Sequence, residues 1–374
     1  MTGEIYPHTG YGMWGLSHLP SLTIKYRWCP QTGNYHKYTI MKNTTITAIA
    51  AALIGASGAM AQTAFTPIVG YTTETINQGF NYIGLTLHEP VTIAGSIDAV
   101  ASGSGGSTLT ENDVDLISVL GASGSTTYIL EITSGPLEGT VQEVTSWTAS
   151  TIETPDDVVA NGLGSDVTYQ LREASTFASI FGADNSFGLG ASDSFDMTEA
   201  DVIFLPDGNS GFRQFYFNDS STFTGWIEVG VGPANDQAIF YTDGMYILRR
   251  AAEPVSIVNT GSFKDDSTSL ALSGSGFNFL SGVYPASSTF GSSGLSSSLQ
   301  SSDSFDMTEA DVVFLPDGSS GFRQFYFNDN SAFTGWIEVG AGPADDVELT
   351  SGIIIQRRGE SIDATIQAPV VGSN

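Results

Sequence analysis

One segment of this chain occurs twice, and this repeat constrains the fold more than any other feature of the sequence. Residues 193–236 align with residues 303–346 at a constant offset of 110, and only six of the 44 aligned positions differ. The similarity resumes in DGMYILRR (243–250) and SGIIIQRR (351–358). Self-similarity of this degree marks the duplication of a whole structural unit. The fold must therefore contain two related units.

The two units differ in length. The segment GFNYIG (79–84) has a counterpart in GFNFLS (276–281), but the first lies 114 residues before the shared sequence DSFD and the second only 27 residues before it. The second copy therefore lacks 87 residues. We expect residues 62–260 to form the full unit and residues 261–374 to form a shortened repeat of it.

Residues 41–61 have the composition of a secretory signal peptide. Lys42 precedes an apolar run centred on residues 48–54, and Ala59-Met60-Ala61 is a small-x-small cleavage motif. We predict cleavage near Ala61. Because such a signal acts at the N-terminus, we expect Met41 to be the true start and residues 1–40 to be a mistaken upstream extension. The protein is then secreted, either extracellular or at the cell surface, without membrane insertion.

The predicted mature chain, residues 62–374, is strongly acidic. It has 39 acidic and eight basic residues, a net charge of −31, against −28 for the full sequence. Such a surface repels nucleic acid and anionic lipid, so neither is expected as a partner. Three explanations of the acidity stay open: solubility in salty surroundings, divalent cation binding and catalytic carboxylates.

Short segments rich in β-branched and aromatic residues, bounded by Gly, Pro, Asp or Asn, predict an antiparallel all-β fold. We predict a β-sandwich-like domain followed by the shortened, duplicated β unit. Only STFASIFGA (175–183) and DMTEADV (196–202) suit a helical turn. The predicted strands are 91–96, 127–133, 141–147, 168–172, 202–205, 212–217, 223–229 and 245–250.

Three segments of the first unit resemble an uncharacterised family of exported, β-rich, modular bacterial proteins. They are YILEITSGPLEGTVQEVTSWTASTIETPDD (128–157), YQLREASTFASIFG (169–182) and ADVIFLPDGNSGFRQFYFN (200–218). The resemblance covers most of residues 79–260 and about a third of the second copy. It implies an exported, modular protein but supplies no mechanism, because the family has no established activity. The truncated second copy departs from the family pattern.

The sequence offers little for catalysis. A Ser-His-Asp triad would need His88, the one histidine of residues 62–374, and the chain contains no G-x-S-x-G motif. Zinc and redox metals lack a ligand cluster. The alternative to a non-catalytic protein is a secreted carbohydrate-active hydrolase with paired carboxylates. The acids repeated in both units are its candidates: Asp196, Glu199, Asp201, Asp207 and Asp219, with Asp306, Glu309, Asp311, Asp317 and Asp329.

No cofactor is expected, and calcium is the one cation for which the sequence offers ligands. Calcium takes six to eight oxygens, often from Asp, Asn and carbonyl groups in Gly-rich turns. The carboxylates at Asp207 and Asp219, and at their copies Asp317 and Asp329, lie in such turns. Ordinary β-turns account for the same residues more simply and are the favoured explanation.

The repeated aromatic residues have two interpretations. Tyr216 and Trp226, with their copies Tyr326 and Trp336, could form a platform on which sugar rings stack, but packing in the core explains them more simply and is favoured. Stacking requires exposed rings. We therefore predict a secreted, non-catalytic structural or adhesion protein of the cell surface or extracellular matrix, with polysaccharide or another cell-envelope component as its expected partner.

Overall fold

The computed structural model describes residues 69–369 apart from residues 104, 125, 209, 210, 286, 287 and 320. The predicted extension (1–40) and signal peptide (41–61) lie outside the described residues. Within them, regular structure is almost entirely antiparallel β, and the predicted all-β, sandwich-like fold is confirmed. No described helix is long and apolar enough to cross a membrane.

The regular elements are listed here in chain order. The helices are α1 (Leu116–Leu120), α2 (Phe177–Phe181) and a 3-10 helix (Leu295–Ser297). The strands are β1 (Val69–Ile76), β2 (Gly79–Gly84), β3 (Val91–Ser96), β4 (Ala99–Gly103), β5 (Gly106–Thr110), β6 (Tyr128–Ile132), β7 (Val141–Val144), β8 (Ser146–Trp147), β9 (Thr151–Thr154), β10 (Thr168–Glu173), β11 (Ser175–Thr176), β12 (Ala191–Ser192), β13 (Val202–Pro206), β14 (Phe212–Asp219), β15 (Thr224–Glu228), β16 (Gly232–Pro233), β17 (Ala238–Ile239), β18 (Gly244–Arg249), β19 (Val255–Ser262), β20 (Thr268–Leu272), β21 (Phe277–Ser281), β22 (Val312–Pro316), β23 (Phe322–Asn330), β24 (Phe333–Glu338), β25 (Gly342–Pro343), β26 (Gly352–Gln356) and β27 (Ile362–Ile366).

The first copy packs a large sheet against a two-stranded ribbon. The sheet has the order β16-β15-β14-β13-β18-β2, with β12 parallel to β14, and β1 pairs with β19 in the ribbon. Ile76 and Ile257 of the ribbon share one apolar core with Phe215 and Ile247 of the sheet and with Phe177 of α2. The core thus lies between the ribbon and one face of the sheet.

The second copy repeats this arrangement. Its sheet has the order β25-β24-β23-β22-β26-β21, and β20 pairs with β27 in a second ribbon. Its core side chains, such as Phe325 and Ile366, belong to the same apolar cluster as those of the first copy. The described residues from 69 to 369 accordingly belong to one compact unit. The expected boundary between residues 260 and 261 falls inside β19.

The residues that the second copy lacks form a body of their own in the first. Strands β3 to β10, residues 91–173, build two four-stranded sheets, ordered β3-β10-β6-β7 and β4-β5-β9-β8. Between them lies a separate apolar core that includes Leu109, Leu130, Trp147 and Leu171. We call this body the inserted domain. It enters the first copy between β2 and β11.

The repeated Pro-Asp-Gly sequence closes the hairpin of β13 and β14. Pro206 pairs with Phe212, and the Asp207 amide donates to the Gly211 carbonyl at 3.1 Å. Gly208 has φ of 77°, a conformation that glycine adopts without a steric penalty. Strands β13 and β14 therefore form a hairpin that this turn closes.

The two copies meet where β2 and β18 approach β21 and β26. Ser281 donates its amide to the Thr242 carbonyl at 2.9 Å and its hydroxyl to the Leu85 carbonyl at 2.8 Å. A Cβ atom on Gly84 would lie 2.2 Å from the Ser351 carbonyl oxygen. Glycine is thus required at residue 84 for the two backbones to approach so closely.

Candidate functional site: exposed aromatic side chains of the two copies

The four aromatic residues predicted to hold sugars are core residues. Trp226 and Trp336 are each 1% exposed, and Tyr216 and Tyr326 are 4% and 5% exposed. Trp226 packs against Phe177 and donates its Nε1 hydrogen to the Gly182 carbonyl at 2.9 Å. None of these rings has an open face, so the structure corrects the stacking interpretation of these residues.

Tyr216 points to the face of β14 that is turned away from the core, and it is buried because a loop covers that face as well. Its hydroxyl donates to the Phe195 carbonyl at 3.1 Å, and Tyr326 makes the same bond to the Phe305 carbonyl. The loop that carries Phe195 therefore lies over the side of β14 that faces away from the core. Strand alternation identifies the two faces of β14, but it does not show that a loop covers the second.

The aspartates predicted as calcium ligands are exposed turn residues. Asp207 and Asp317 accept hydrogen bonds from the amides of Gly211 and Gly321 within their own loops, at 3.0 and 3.1 Å. Among the described residues, no three His, Cys, Asp or Glu side chains group closely enough to hold a metal ion. The other two predicted calcium ligands, Asp219 and Asp329, accept hydrogen bonds from the hydroxyl groups of Thr224 and Thr334 at 3.3 and 3.4 Å.

Two of the repeated acids form buried ion pairs. Asp201 pairs with Arg249 at 2.5 Å, and its copy Asp311 pairs with Arg357. Each aspartate also accepts from the amide of the next arginine, at 2.7 Å in both copies. The double arginine that ends each unit thus fixes the start of β13 or β22, a structural role.

Glu199 and Asp196 stabilise the loop that follows β12. Glu199 accepts from the Ser194 hydroxyl at 2.7 Å, and Asp196 accepts from the Thr198 amide and hydroxyl at 2.8 and 2.7 Å. These bonds hold the pKa of Asp196 below its ordinary value. Glu309 and Asp306 make the corresponding bonds in the second copy. These four acids therefore support a loop rather than a catalytic pair.

Other aromatic residues, some of them partly exposed, line a groove of about 490 Å³ between the two copies. Phe80 is 52% exposed and lines the groove together with Tyr246 from the first copy and Phe322 from the second. Phe80 and Tyr246 also line an apolar hollow beside it, with Phe204 and Phe212. We call these five side chains the groove aromatics.

The polar lining of the groove carries hydroxyl and amide groups but no Lys or Arg among the described residues. Glu74 is the one charged side chain among the described lining residues, and burial raises the pKa of that carboxyl. Threonines of β1 and Asn81 supply neutral hydrogen-bonding groups. An anionic ligand would find no cation here, so the groove suits a neutral molecule with both apolar and hydroxyl surfaces.

A second exposed aromatic side chain occurs identically in each copy. Phe195 is 49% exposed with φ of 62°, and Phe305 is 47% exposed with φ of 64°. A bulky residue is an outlier in this left-handed region. We call this pair the loop phenylalanines. Their motif, DSFD, was visible in the repeat, but nothing in the sequence indicated the backbone conformation.

A buried cluster of charged residues joins the inserted domain to both copies. Glu131 of β6 accepts from Arg172 Nε at 3.0 Å and from the Tyr241 hydroxyl at 2.6 Å, and the Lys264 ammonium lies 4.0 Å from its other oxygen. The His88 ring packs on Tyr241 and contacts the Val283 carbonyl at 2.9 Å. Opposite charges hold the pKa of Glu131 below its ordinary value, although its burial opposes this.

His88 is neutral in this setting and has no catalytic geometry. Burial lowers its pKa to about 3. Since Nε2 faces a carbonyl acceptor, it carries the ring hydrogen. Nδ1 has no hydrogen-bond partner among the described residues. His88 therefore helps the first copy pack against the second.

Comparison with models of known protein families, with curated proteins and with solved structures finds no match to this chain. The resemblance to exported β-rich proteins stays a prediction. The geometry of the groove is the observation that remains: exposed aromatic residues lie beside neutral polar groups on an all-β scaffold.

Proposed function

We propose that this is a secreted, non-catalytic structural or adhesion protein of the cell surface or extracellular matrix, and that it contacts neutral polysaccharide through the groove between its two copies. The observation that carries the proposal is the groove itself, in which Phe80, Tyr246 and Phe322 lie beside hydroxyl and amide groups, with no cation among the described lining residues. Sugars present an apolar ring face and a hydroxyl rim, and both find partners in such a groove.

The architecture supports this role. Two sheets and the inserted domain are joined through buried hydrogen bonds and a buried ion cluster, so the walls of the groove are held in place by both copies. A preformed site loses little conformational entropy on binding.

The test is retention of the secreted protein on insoluble neutral polysaccharides, with microcrystalline cellulose, chitin and an insoluble β-1,3-glucan as probes. Phe80→Ala should weaken retention on the bound polymer at least tenfold. Phe277→Ala is the matched control, because Phe277 is the copy of Phe80 and is 54% exposed but does not line the groove. Failure of the unaltered protein to bind any of the three polymers, or equal losses in both variants, would overturn the proposal.

One observation favours the alternative, a carbohydrate-active hydrolase. Burial raises the pKa of Asp243 to about 6, and Asp156 and Asp363 line the same cavity of about 280 Å³. A carboxylic acid whose pKa is raised towards neutrality is suited to act as a general acid. Release of reducing sugar from the bound polymer, lost in Asp243→Asn, would favour hydrolysis over simple binding.

A further inference from the structure

The loop phenylalanines are held in place by a hydrogen-bonded frame. The Phe195 amide donates to Asn218 Oδ1 at 3.1 Å, and its carbonyl accepts from the Tyr216 hydroxyl at the same distance. Ser192 Oγ accepts from the amides of Ser194 and Asp196, at 3.2 and 2.9 Å. The residues on both sides of Phe195 are therefore fixed, and the left-handed conformation at Phe195 is imposed by its surroundings.

The same frame surrounds Phe305 in the second copy. Its amide donates to Asn328 Oδ1 at 3.1 Å, its carbonyl accepts from Tyr326, and Ser302 accepts from the amides of Ser304 and Asp306. The two loops thus present one exposed ring each in the same local geometry. Both loops belong to one compact unit.

This conformation has an energetic cost that the ring itself does not offset. A non-glycine residue in the left-handed region brings its Cβ atom close to the backbone, and this contact destabilises the folded state. A ring that remains about half exposed, as Phe195 does, recovers only part of the apolar burial available to phenylalanine. Glycine would adopt the same backbone without that cost. A ring kept exposed on a fixed, strained loop is explained by a contact outside the chain.

The surroundings of the rings restrict what that contact can be. Hydroxyl and carboxylate groups of Ser194, Asp196 and Glu199 lie in the same loop. The charge of Arg250 acts on Asp196 and that of Arg358 acts on Asp306, so the loop carries both signs of charge. Its carboxylate and hydroxyl oxygens accept hydrogen bonds from hydroxyl groups. Two equivalent rings on one body match a partner that repeats its own structure. A polysaccharide chain offers hydroxyl groups to these acceptors and an apolar ring face to each phenylalanine, and it repeats both along its length.

We propose that Phe195 and Phe305 are two equivalent anchor residues that bind one neutral polysaccharide bivalently, at sites separate from the groove. For its ligand class this inference rests on the proposed function. Each ring stacks on the apolar face of a sugar unit, and occupation of one loop raises the effective concentration of polymer at the other. Avidity of this kind exceeds single-site affinity by roughly 10²–10⁴-fold when both sites can be engaged.

The test replaces the loop phenylalanines by glycine, singly and together. Because glycine relieves the backbone strain, Phe195→Gly and Phe305→Gly should leave the thermal midpoint unchanged or higher. Each should weaken retention on the polymer that binds the unaltered protein by tenfold or more, and to the same extent. The double variant should bind more weakly than either, and Phe195→Tyr, which keeps a stacking ring, should bind normally.

The possible failures are distinguishable. A fall in the thermal midpoint of either glycine variant would show that the rings serve packing, and it would overturn the inference. Normal retention of the double variant, alongside weakened retention of Phe80→Ala, would overturn the inference and leave the groove proposal standing. No retention of the unaltered protein on any of the neutral polymers would overturn both.

Discussion

The Tyr216 hydroxyl donates a hydrogen bond of 3.1 Å to the carbonyl of Phe195, and through this bond a buried ring positions an exposed one. Tyr326 and Phe305 repeat the relationship in the second copy. Tyr216 is thus buried, but it holds in place a loop that lies at the surface. Tyr216, a candidate binding residue in the sequence, supports the loop, and Phe195, its hydrogen-bond partner, exposes its ring to solvent.

The tryptophans of the two copies should respond differently to the same substitution. Trp226 Nε1 donates to the Gly182 carbonyl, whereas Trp336 Nε1 has no hydrogen-bond partner among the described residues. Trp226→Phe should therefore lower the free energy of unfolding by about 1 kcal/mol more than Trp336→Phe. Urea denaturation of both variants measures the difference. Replacing either tryptophan by alanine should lower the free energy of unfolding by about 3–5 kcal/mol. Wild-type stability of Trp226→Ala would contradict the place of Trp226 in the core.

The buried ion pairs should be required for folding. Asp311 accepts from Arg357, from the Arg358 amide and from the Gln300 amide, the last two at 2.7 Å. Asp311→Asn should lower the free energy of unfolding by about 3–5 kcal/mol, because it leaves the Arg357 charge buried and unpaired. Asp329→Asn is the control, since this exposed carboxylate bonds only weakly to Thr334 and should change stability by less than about 0.5 kcal/mol. Equal effects of the two substitutions would contradict the assignment.

Asp243 should make the protein less stable as the pH rises. Burial raises its pKa to about 6 in the folded state, above an ordinary value of 3.8. The folded protein therefore retains a proton that the unfolded chain releases, so this stabilisation is complete below about pH 4 and is lost by about pH 6. Asp243→Asn should be more stable than wild type at pH 7, by roughly 2–3 kcal/mol, and equal to it at pH 4. Chemical denaturation across this range tests the prediction, with Asp346→Asn as the exposed control.

His88 should act in the opposite direction. Burial lowers its pKa to about 3 from 6.5, so the unfolded chain binds a proton that the folded protein excludes. The contribution of His88 to the free energy of unfolding is complete above about pH 6.5 and falls as the pH drops towards 3. In Asp243→Asn only the His88 effect remains, so the free energy of unfolding should fall between pH 6.5 and pH 4. In His88→Gln only the Asp243 effect remains, so this loss should be smaller. Parallel pH profiles for the two variants would contradict both pKa assignments.

The junction between the copies should tolerate no side chain at residue 84. A Cβ atom at this position would lie 2.2 Å from the Ser351 carbonyl oxygen and 2.6 Å from the Ser281 Cα. Both contacts are with backbone atoms, so a rotamer change cannot relieve them. Gly84→Ala should therefore weaken the junction, seen as a lower thermal midpoint and faster proteolysis between the copies. Gly164→Ala, where a Cβ meets nothing within 4 Å, should behave as wild type.

Local sequence predicted most of the strands because their signals are local. The predicted segments 91–96, 202–205 and 245–250 lie within one residue of β3, β13 and β18 at each end. The segment 141–147 is divided into β7 and β8, and DMTEADV forms turns without a helix. Helix α1 was not predicted, although Asp115 caps it, because five residues give too short an apolar pattern.

The site was harder to predict because exposure depends on contacts between distant segments. Trp226 and Tyr216 were selected for the chemistry of their rings, and the structure buries both. Phe80 and Phe322 lie far apart in the chain and line one groove only because the two copies pack together. No spacing in the sequence relates them.

The sequence by itself determined that the protein is all-β, that it contains a duplicated unit, and that 87 residues are present in one copy only. These properties follow from alternation, turn residues and self-similarity, which are read along the chain. Only the tertiary structure decided that the missing residues form an inserted domain, that Tyr216 and Trp226 are core, and that Phe80 and Phe195 are exposed. Burial is set by whatever packs against a residue, and here that is a loop or a strand from a distant part of the chain.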